Sequence, residues 1–474
     1  MKLPWRRISV CSVQTPGAWF SSSFVRRGTC SLACMALLAV LAAAQNVAEA
    51  PLDLSLKRAV DLATSSEGSA RMQLAGESLK QAQARSAEAR AALLPDIEAS
   101  FNDQSRTENL AALGLGDLSH LSLPIPGFSI PTFVGPFTTT DARLTGSQTV
   151  FDFSSIRRFQ ASKAAIGAAR ADTGSTAEQV AAQVALAYLA GVKADTDVDS
   201  ARANVTLSEA LVHQAELQKE AGTGTGIEIT RARVQLANDR QHLLVAENAR
   251  HSAHLQLLRA MNMRLDTDIH LTDKLQYIAV DAVTLQQAKA QALKERPDLQ
   301  AQHEREANAR LSASASKLER LPSVHAFGDY GAIGTAIDNS LPTRTVGISV
   351  SIPLFDGGRR DARREEAASQ YRSERIRSTD LQAQIELDVR LALDALKSAD
   401  DQVKVARDGL DLAENELTQA RRRYEAGVAI SLEVTDAQTR LERARDNQTE
   451  ALYNYNVARI QLAQATGRVR TVVQ

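Results

Sequence analysis

Glu247, His251 and His254 stand at i, i+4 and i+7, so a helix running through them carries three potential metal ligands on one face. Nothing else in the sequence closes a ligand set around them, and polar residues on a solvated helix surface are the favoured reading. The run Gly222-Thr223-Gly224-Thr225-Gly226 has the glycine content of a phosphate-cradling loop. No strand pattern precedes it and no Lys-Ser or Lys-Thr follows, so it reads as a turn. The sequence contains no nucleophile elbow, His-Glu-x-x-His, Walker loop or paired-cysteine motif. The chain reads as a non-enzyme without cofactor or metal, and its function has to be sought in its architecture.

Composition narrows that architecture. The 474 residues carry 55 Lys+Arg against 56 Asp+Glu, a balance that excludes a nucleic-acid binder. Hydrophobic residues make up 44%, enough to fold, but aromatics are only 4%, so the core must be built largely from small aliphatic side chains in close contact. The first fifty residues read as a secretory signal: Arg26 and Arg27, an apolar run from Leu32 to Ala44, then Ala48-Glu49-Ala50, with cleavage after Ala44 or Ala50. All three cysteines, Cys11, Cys30 and Cys34, fall in this leader, and the remainder is acidic on balance. Past the leader no apolar stretch is long enough for a membrane-spanning helix.

The rest is one unit written twice, residues 51–275 and 276–474. Glu220-Ala221-Gly222 recurs as Glu425-Ala426-Gly427, and at the same offset Ile227-Glu228-Ile229-Thr230 meets Leu432-Glu433-Val434-Thr435. Phe151-Asp152 matches Phe355-Asp356, and Leu94-Pro95 matches Leu321-Pro322. The same punctuation recurs in the same order, which chance likeness between Ala-rich helices does not produce.

Within each unit the apolar residues keep a heptad. Ile385, Val389, Ala392, Leu396, Ala399, Val403, Ala406, Leu410, Ala413, Leu417, Ala420 and Tyr424 alternate by four and three; Val434, Ala437, Leu441, Ala444, Ala451, Tyr455, Ala458, Leu462 and Ala465 resume the spacing after the Gly turn. A sustained 3.5-residue period predicts coiled-coil packing. A weaker stripe, Leu391, Ala395, Val405 and Leu412, gives the helix a second seam and suits a closed ring of helices. One long helix is expected from about Ser155 to Glu220, some 65 residues or ~100 Å. It is flanked by shorter ones at about Leu54–Leu93 and Glu228–Asn262. The second half repeats this with Gly357–Tyr424 against Thr284–Arg320 and Ser431–Thr466.

Strand patterns separate the helices. Val346, Ile348, Val350, Ile352 and Leu354 alternate with Gly347, Ser349 and Ser351; Ile97, Ala99 and Phe101 alternate with Glu98, Ser100 and Asn102. Val324, Ala326, Gly328 and Tyr330 form a third set, and residues 142–151 a weaker fourth. Such alternation fits a half-buried soluble strand or a transmembrane β-strand; the secretory signal favours the latter. Four strands cannot close a barrel and lipid tolerates no open sheet edge, so a trimer supplying twelve strands is the simplest closure. The Pro-rich stretch holding Pro124, Pro126, Pro131 and Pro136 reads as a long outer loop.

The motifs Leu54-Ser55-Leu56-Lys57-Arg58-Ala59-Val60, Leu94-Pro95-Asp96-Ile97, Pro353-Leu354-Phe355-Asp356-Gly357-Gly358-Arg359-Arg360 and Arg423-Tyr424-Glu425-Ala426-Gly427-Val428, with Asp436-Ala437-Gln438 and Ala465-Thr466-Gly467, resemble those of the TolC-like outer membrane efflux proteins. Their order and duplication carry the likeness across residues 52–468. The resemblance implies a mainly α fold with a small β part: a long coiled-coil α-helical tunnel in the periplasm and four transmembrane strands per chain, closing a twelve-stranded barrel as a homotrimer in the outer membrane of a Gram-negative-type bacterium. Implied partners are membrane lipid, a periplasmic adaptor (membrane fusion) protein and a proton-driven or ATP-driven inner-membrane pump. The turns Ala221-Gly222-Thr223 and Ala426-Gly427-Val428 match the family's adaptor-contacting tips. Glu433 and Asp436 match its acidic entrance ring, Glu228 a further acidic gate position and Tyr424 a gate tyrosine. The family's basic latch residue is replaced by Ala429, with Arg231 as a substitute. The function implied is a passive exit duct for small molecules. Type I protein secretion is the alternative within transport, and a periplasmic coiled-coil scaffold without a pore is the alternative outside it.

Overall fold

The computed structural model describes residues 52–112, 133–222, 224–280 and 283–473. The expected leader, Thr223, and the loop residues Pro124, Pro126 and Pro131 lie outside the described residues. Leu52 onward forms one compact unit.

In chain order the elements are β1 (Leu52–Leu54), α1 (Leu56–Thr64), α2 (Ala70–Ala91), β2 (Asp96–Asn109), β3 (Phe133–Phe151), α3 (Phe153–Glu220), α4 (Gly226–Ala260), β4 (Ile269–Leu271), α5 (Leu285–Glu295), α6 (Pro297–Leu318), β5 (Ser323–Gly334), β6 (Leu341–Ser351), α7 (Arg359–Glu425), α8 (Ser431–Thr466) and α9 (Val469–Val473). The two long helices have 68 and 67 residues, about 100 Å each at 1.5 Å per residue. Beside α3 lie α2 towards the sheet end and α4 towards the turn end; beside α7 lie α6 and α8 in the same relation.

Two of the expected flanking helices are broken. The first divides at Ser65–Ser69 because the chain folds tightly onto its own carbonyls there. A Cβ on Gly68 would lie 2.1 Å from the carbonyl oxygen of Leu62, and Ser69 caps the new helix by accepting the Met72 N–H at 3.2 Å. The other divides at Arg296, because Pro297 has no N–H to continue α5 and occupies the first turn of α6 instead. The short parallel pair β1–β4, Leu52 beside Ile269 to Leu54 beside Leu271, has too few residues for a periodic signal and was not foreseen.

The heptads pack as read. Ile385, Val389, Ala392, Ala399, Val403, Ala413, Leu417, Ala420 and Tyr424 are buried along α7; Val434, Ala437, Leu441, Ala451, Tyr455, Ala458 and Ala465 are buried along α8. Alternating Ala with larger residues brings the helices close and fills the seam without many aromatics. The second stripe stays open in the single chain: Leu391, Val405 and Leu412 are exposed.

The sheet has order β2-β3-β5-β6, antiparallel throughout. Its register pairs Ala99 with Leu144, Leu144 with Tyr330, Gly328 with Val346 and Ala326 with Ile348, so these residues share one face. That face is apolar and uncovered: Ile97 is 67%, Val346 85% and Ile348 73% exposed. The other face carries Glu98, Ser100, Arg143, Asp329 and Thr343. There Arg143 reaches Asp329 at 2.7 Å, Asp141 at 3.3 Å and Thr343 at 3.4 Å, tying β3 to β5 and β6. Strand β3 is longer than its alternation showed, 19 residues reaching back through Pro136 to Phe133.

The strand-to-helix junctions solve one problem in two ways. Asp356 is followed by Gly357 and Gly358, both in the left-handed region (φ +68° and +87°), and its carboxylate accepts the Arg360 N–H at 3.1 Å. The first half lacks the glycines; Asp152 caps α3 directly, accepting from Ser154 N at 2.9 Å and Ser155 N at 3.2 Å.

Candidate functional site

Both helix-turn-helix ends are exposed, and both close on glycine. Gly222 (φ +74°) and Gly427 (φ +71°) adopt the conformation that ends a helix with a left-handed residue. In the second turn Gly427 N donates to Tyr424 O and Val428 N to Arg423 O, each at 3.0 Å. In the first, Gly222 N donates to Lys219 O at 3.0 Å and Gly224 N to Gln218 O at 2.9 Å, which accommodates one more residue. Ala221, Gly222, Ala426, Gly427 and Val428 are all exposed at these tips.

The five side chains expected at the entrance fall into two groups. Glu228, Arg231 and Tyr424 line one small cavity of about 30 Å³, together with Ser208, Gln235 and Thr435. Thus α3, α4, α7 and α8 meet at it. The Tyr424 hydroxyl donates to Gln218 Oε1, joining α7 to α3. Burial, and then the charge of Glu228, push the Tyr424 phenol above its ordinary value. Glu228 closes a capping box at the start of α4: its Oε2 accepts the Thr225 N–H at 2.8 Å and the Thr225 hydroxyl at 3.2 Å.

Glu433 and Asp436 do not line this cavity; both stand in the first turns of α8. Glu433 Oε1 lies 3.1 Å from Arg423 Nε, so one of the two carboxylates is already paired. Asp436 is exposed. Arg231 and Asp436, related across the repeat, are not brought into one cavity.

The residues flagged for metal chemistry separate. Glu247 pairs with Arg202 at 3.2 Å, His254 Nε2 lies 3.2 Å from Asp195, and His251 is exposed. Among the described residues no cluster of His, Cys, Asp or Glu has the geometry to hold an ion.

Sequence reasoning missed a polar chain just beyond the small cavity, where Ser208, Asp239, Gln438 and Glu442 join α3, α4 and α8. The available signal was Ser208 itself, a hydroxyl in the heptad run Val198, Ala201, Val205, Ser208, Val212 and Ala215.

Comparison with known proteins agrees with this architecture. The profile of the family described as outer membrane efflux protein matches residues 62–263 and 289–468. The pyoverdine export outer membrane protein OpmQ of Pseudomonas putida is 24% identical over 399 residues, spanning 82% of this chain and 81% of its own. The alkaline protease secretion protein AprF of Pseudomonas aeruginosa is 22% identical over 66% of each chain. Among solved structures, the CmeC outer membrane channel of Campylobacter jejuni superposes with a TM-score of 0.73 at 16% identity, covering 87% of this chain and 85% of CmeC. The outer membrane protein VceC of Vibrio cholerae gives 0.72 at 17% identity, covering 87% and 96%. The fold is therefore that of the TolC-like outer membrane channels.

Proposed function

The chain belongs to the outer membrane efflux protein family, and we propose that it is the outer-membrane exit duct of a tripartite efflux system, carrying small molecules passively from a periplasmic adaptor and an inner-membrane pump to the outside. The observation that carries this reading is the sheet. Its four strands present one largely apolar face to the surroundings, interrupted by Gln148 and Arg344, and a charged face behind it, with β2 and β6 as edges. Lipid suits the first face, water the second, and neither edge can remain open in a bilayer. Three copies close twelve strands into a barrel, and the α3 and α7 layers continue it as a tube about 100 Å long. In this reading the strands lie in the outer membrane, the helices stand in the periplasm, and the two halves of the chain are a duplicated unit.

The exposed glycine turns at the far end are the docking tips for the adaptor. Glu433 and Asp436, repeated threefold, favour cations at the entrance, and the Glu228–Arg231–Tyr424 cavity sets how tightly the turns close. The likeness to AprF favours a second reading, an exit duct for a secreted protein; the surrounding genes, encoding a proton-driven pump or an ATP-binding exporter, separate the two. The test of the duct itself is fractionation followed by reconstitution. Heat-modifiable trimers in the outer membrane that conduct in planar bilayers are expected; a soluble monomer without conductance would leave only a periplasmic scaffold.

A further inference from the structure

The sheet meets the helices at four junctions, and each junction carries the same pair of residues. An exposed apolar side chain marks the junction: Leu94 between α2 and β2, Phe153 at the start of α3, Leu321 between α6 and β5, and Phe355 between β6 and α7. Four positions further into the helical side stands a cation: Arg90, Arg157, Lys317 and Arg359 respectively. All four cations are exposed. The apolar residues adjoin the uncovered face of the sheet. Ile352 and Leu354 prolong the outward alternation of Val346, Ile348 and Val350 past the end of β6, and Leu354 is 93% exposed. Phe151 and Phe153 meet edge to face, ring centroids 4.4 Å apart.

Ion pairing within the chain does not account for these cations. Among the described residues none of the four has a carboxylate partner; Arg157 donates to the Gln160 amide oxygen at 2.8 Å. Neighbouring acids serve other arginines: Glu319 pairs with Arg158, Asp361 with Arg320 and Asp356 with Arg360. Helix dipoles account for half of the set. Arg90 and Lys317 stand in the last turns of α2 and α6, where a cation is favoured. Arg157 follows the first turn of α3 and Arg359 opens α7, so neither gains from its helix and the dipole opposes Arg359. Depth explains all four. Four residues of helix rise about 6 Å. The polar layer on each side of a ~30 Å hydrocarbon core is roughly 5–8 Å deep. An apolar residue at the edge of the hydrocarbon therefore sets its cation among the headgroups.

We propose that Arg90, Arg157, Lys317 and Arg359 form a collar that binds the phosphate groups of anionic phospholipid at the membrane surface facing the helices. Such a collar presupposes the membrane-spanning sheet proposed above. The apolar residues set the depth of the sheet, and the cations set the headgroup preference. Because the cations come from all four junctions, the lipid holds the helical part at a fixed height below the bilayer. A negatively charged headgroup such as that of phosphatidylglycerol is favoured over a zwitterionic one.

The test is electron spin resonance of the full chain in phosphatidylcholine vesicles carrying spin-labelled phosphatidylcholine or spin-labelled phosphatidylglycerol. Lipid slowed by contact with the protein is expected with both labels. Phosphatidylglycerol is expected to be preferred roughly 5-fold, which is what one basic residue near the surface supplies. The preference should shrink in about 1 M salt, where charges are screened within about 3 Å. The combined variant Arg90→Gln, Arg157→Gln, Lys317→Gln and Arg359→Gln should keep slowed lipid, which reports insertion, and should take up the two labels equally. Removing four exposed cations remote from the junctions, Lys219→Gln, Lys274→Gln, Lys397→Gln and Arg422→Gln, should leave the preference intact. Inorganic phosphate should displace the preferred lipid no better than chloride at the same ionic strength; stronger displacement would assign the cations to a free anion and overturn the lipid assignment. Slowed lipid with the preference retained in the first variant, or lost equally in the second, overturns the collar and leaves the membrane-spanning sheet standing. No slowed lipid with either label in wild type would overturn the sheet reading and the collar with it.

Discussion

Arg423 and Glu433 clasp the second turn from its two sides, Nε to Oε1 at 3.1 Å. Both side chains are substantially exposed, 59% and 40%, so the pair is worth well under about 1 kcal/mol and is readily screened. Its consequence is electrostatic. Glu433 is answered and its neighbour Asp436 stands exposed, so the two carboxylates expected to act as one ring are unequal. In reversal-potential measurements across a salt gradient, Asp436→Ala should reduce cation preference more than Glu433→Ala, and Arg423→Ala should increase it. Equal effects from the two acids would show that the pairing does not persist at the entrance.

Tyr424 joins α7 to α3 through a polar contact with Gln218 while its ring fills the seam with Leu417 and Val434. Tyr424→Phe keeps the ring and removes the hydroxyl. It should cost about 0.5–1.5 kcal/mol of stability in denaturant melts and raise the open fraction in single-channel recordings. Gln218→Leu, which removes the other partner, should have the same sign. A variant pair that melts lower without any change in gating would confine Tyr424 to packing.

The helices were legible in the sequence because a coiled-coil seam writes its period into the chain, and the sheet because one of its faces is largely apolar and the other polar. Local signals were also present and under-read: Thr225-x-x-Glu228 is a capping box, and Pro297 stops a helix. Long-range polar partners were not legible. Arg143 finds Asp329 and Gln438 finds Ser208 only through register and helix rotation, neither of which a periodicity specifies. The same limit applied to the entrance residues. The resemblance matched Glu433 to an acidic entrance ring and Glu228 to a further gate position, but not their partners: Glu228 caps the start of α4 and Glu433 pairs with Arg423.

The two faces of β6 make opposite demands on substitution. Ile348 lies on the uncovered apolar face with Val346, and Ser349 lies behind it. Ile348→Arg should cost about 2–4 kcal/mol if it sits near the bilayer midplane and should deplete heat-modifiable trimer from the outer membrane. Ser349→Arg should be tolerated and should alter conductance instead. If both variants assemble equally well, the apolar face does not meet lipid.

Arg296 ends α5 and holds three elements at one point. Its guanidinium is 14% exposed, meets Asp298 through two bonds at 3.1 and 2.7 Å, meets Asp388 on α7 at 3.0 Å and reaches the Ala465 carbonyl at the end of α8 at 3.4 Å. Burial opposes its charge, yet the two carboxylates more than compensate and hold its proton more tightly than usual. Removing the cation leaves Asp298 and Asp388 facing each other without it; both acids are about one-third exposed, so the cost falls below the roughly 3–5 kcal/mol of breaking a fully buried pair. Arg296→Ala should therefore be among the most destabilising single changes in the helical part, read by denaturant unfolding in detergent. Arg296→Lys keeps the charge but cannot span both carboxylates and the carbonyl, so it should recover only part of the loss. The double variant Asp298→Asn with Asp388→Asn, made on the Ala background, should restore stability, since the damage there is repulsion between stranded acids. A failure to restore would assign the loss to packing at the α5–α6 break.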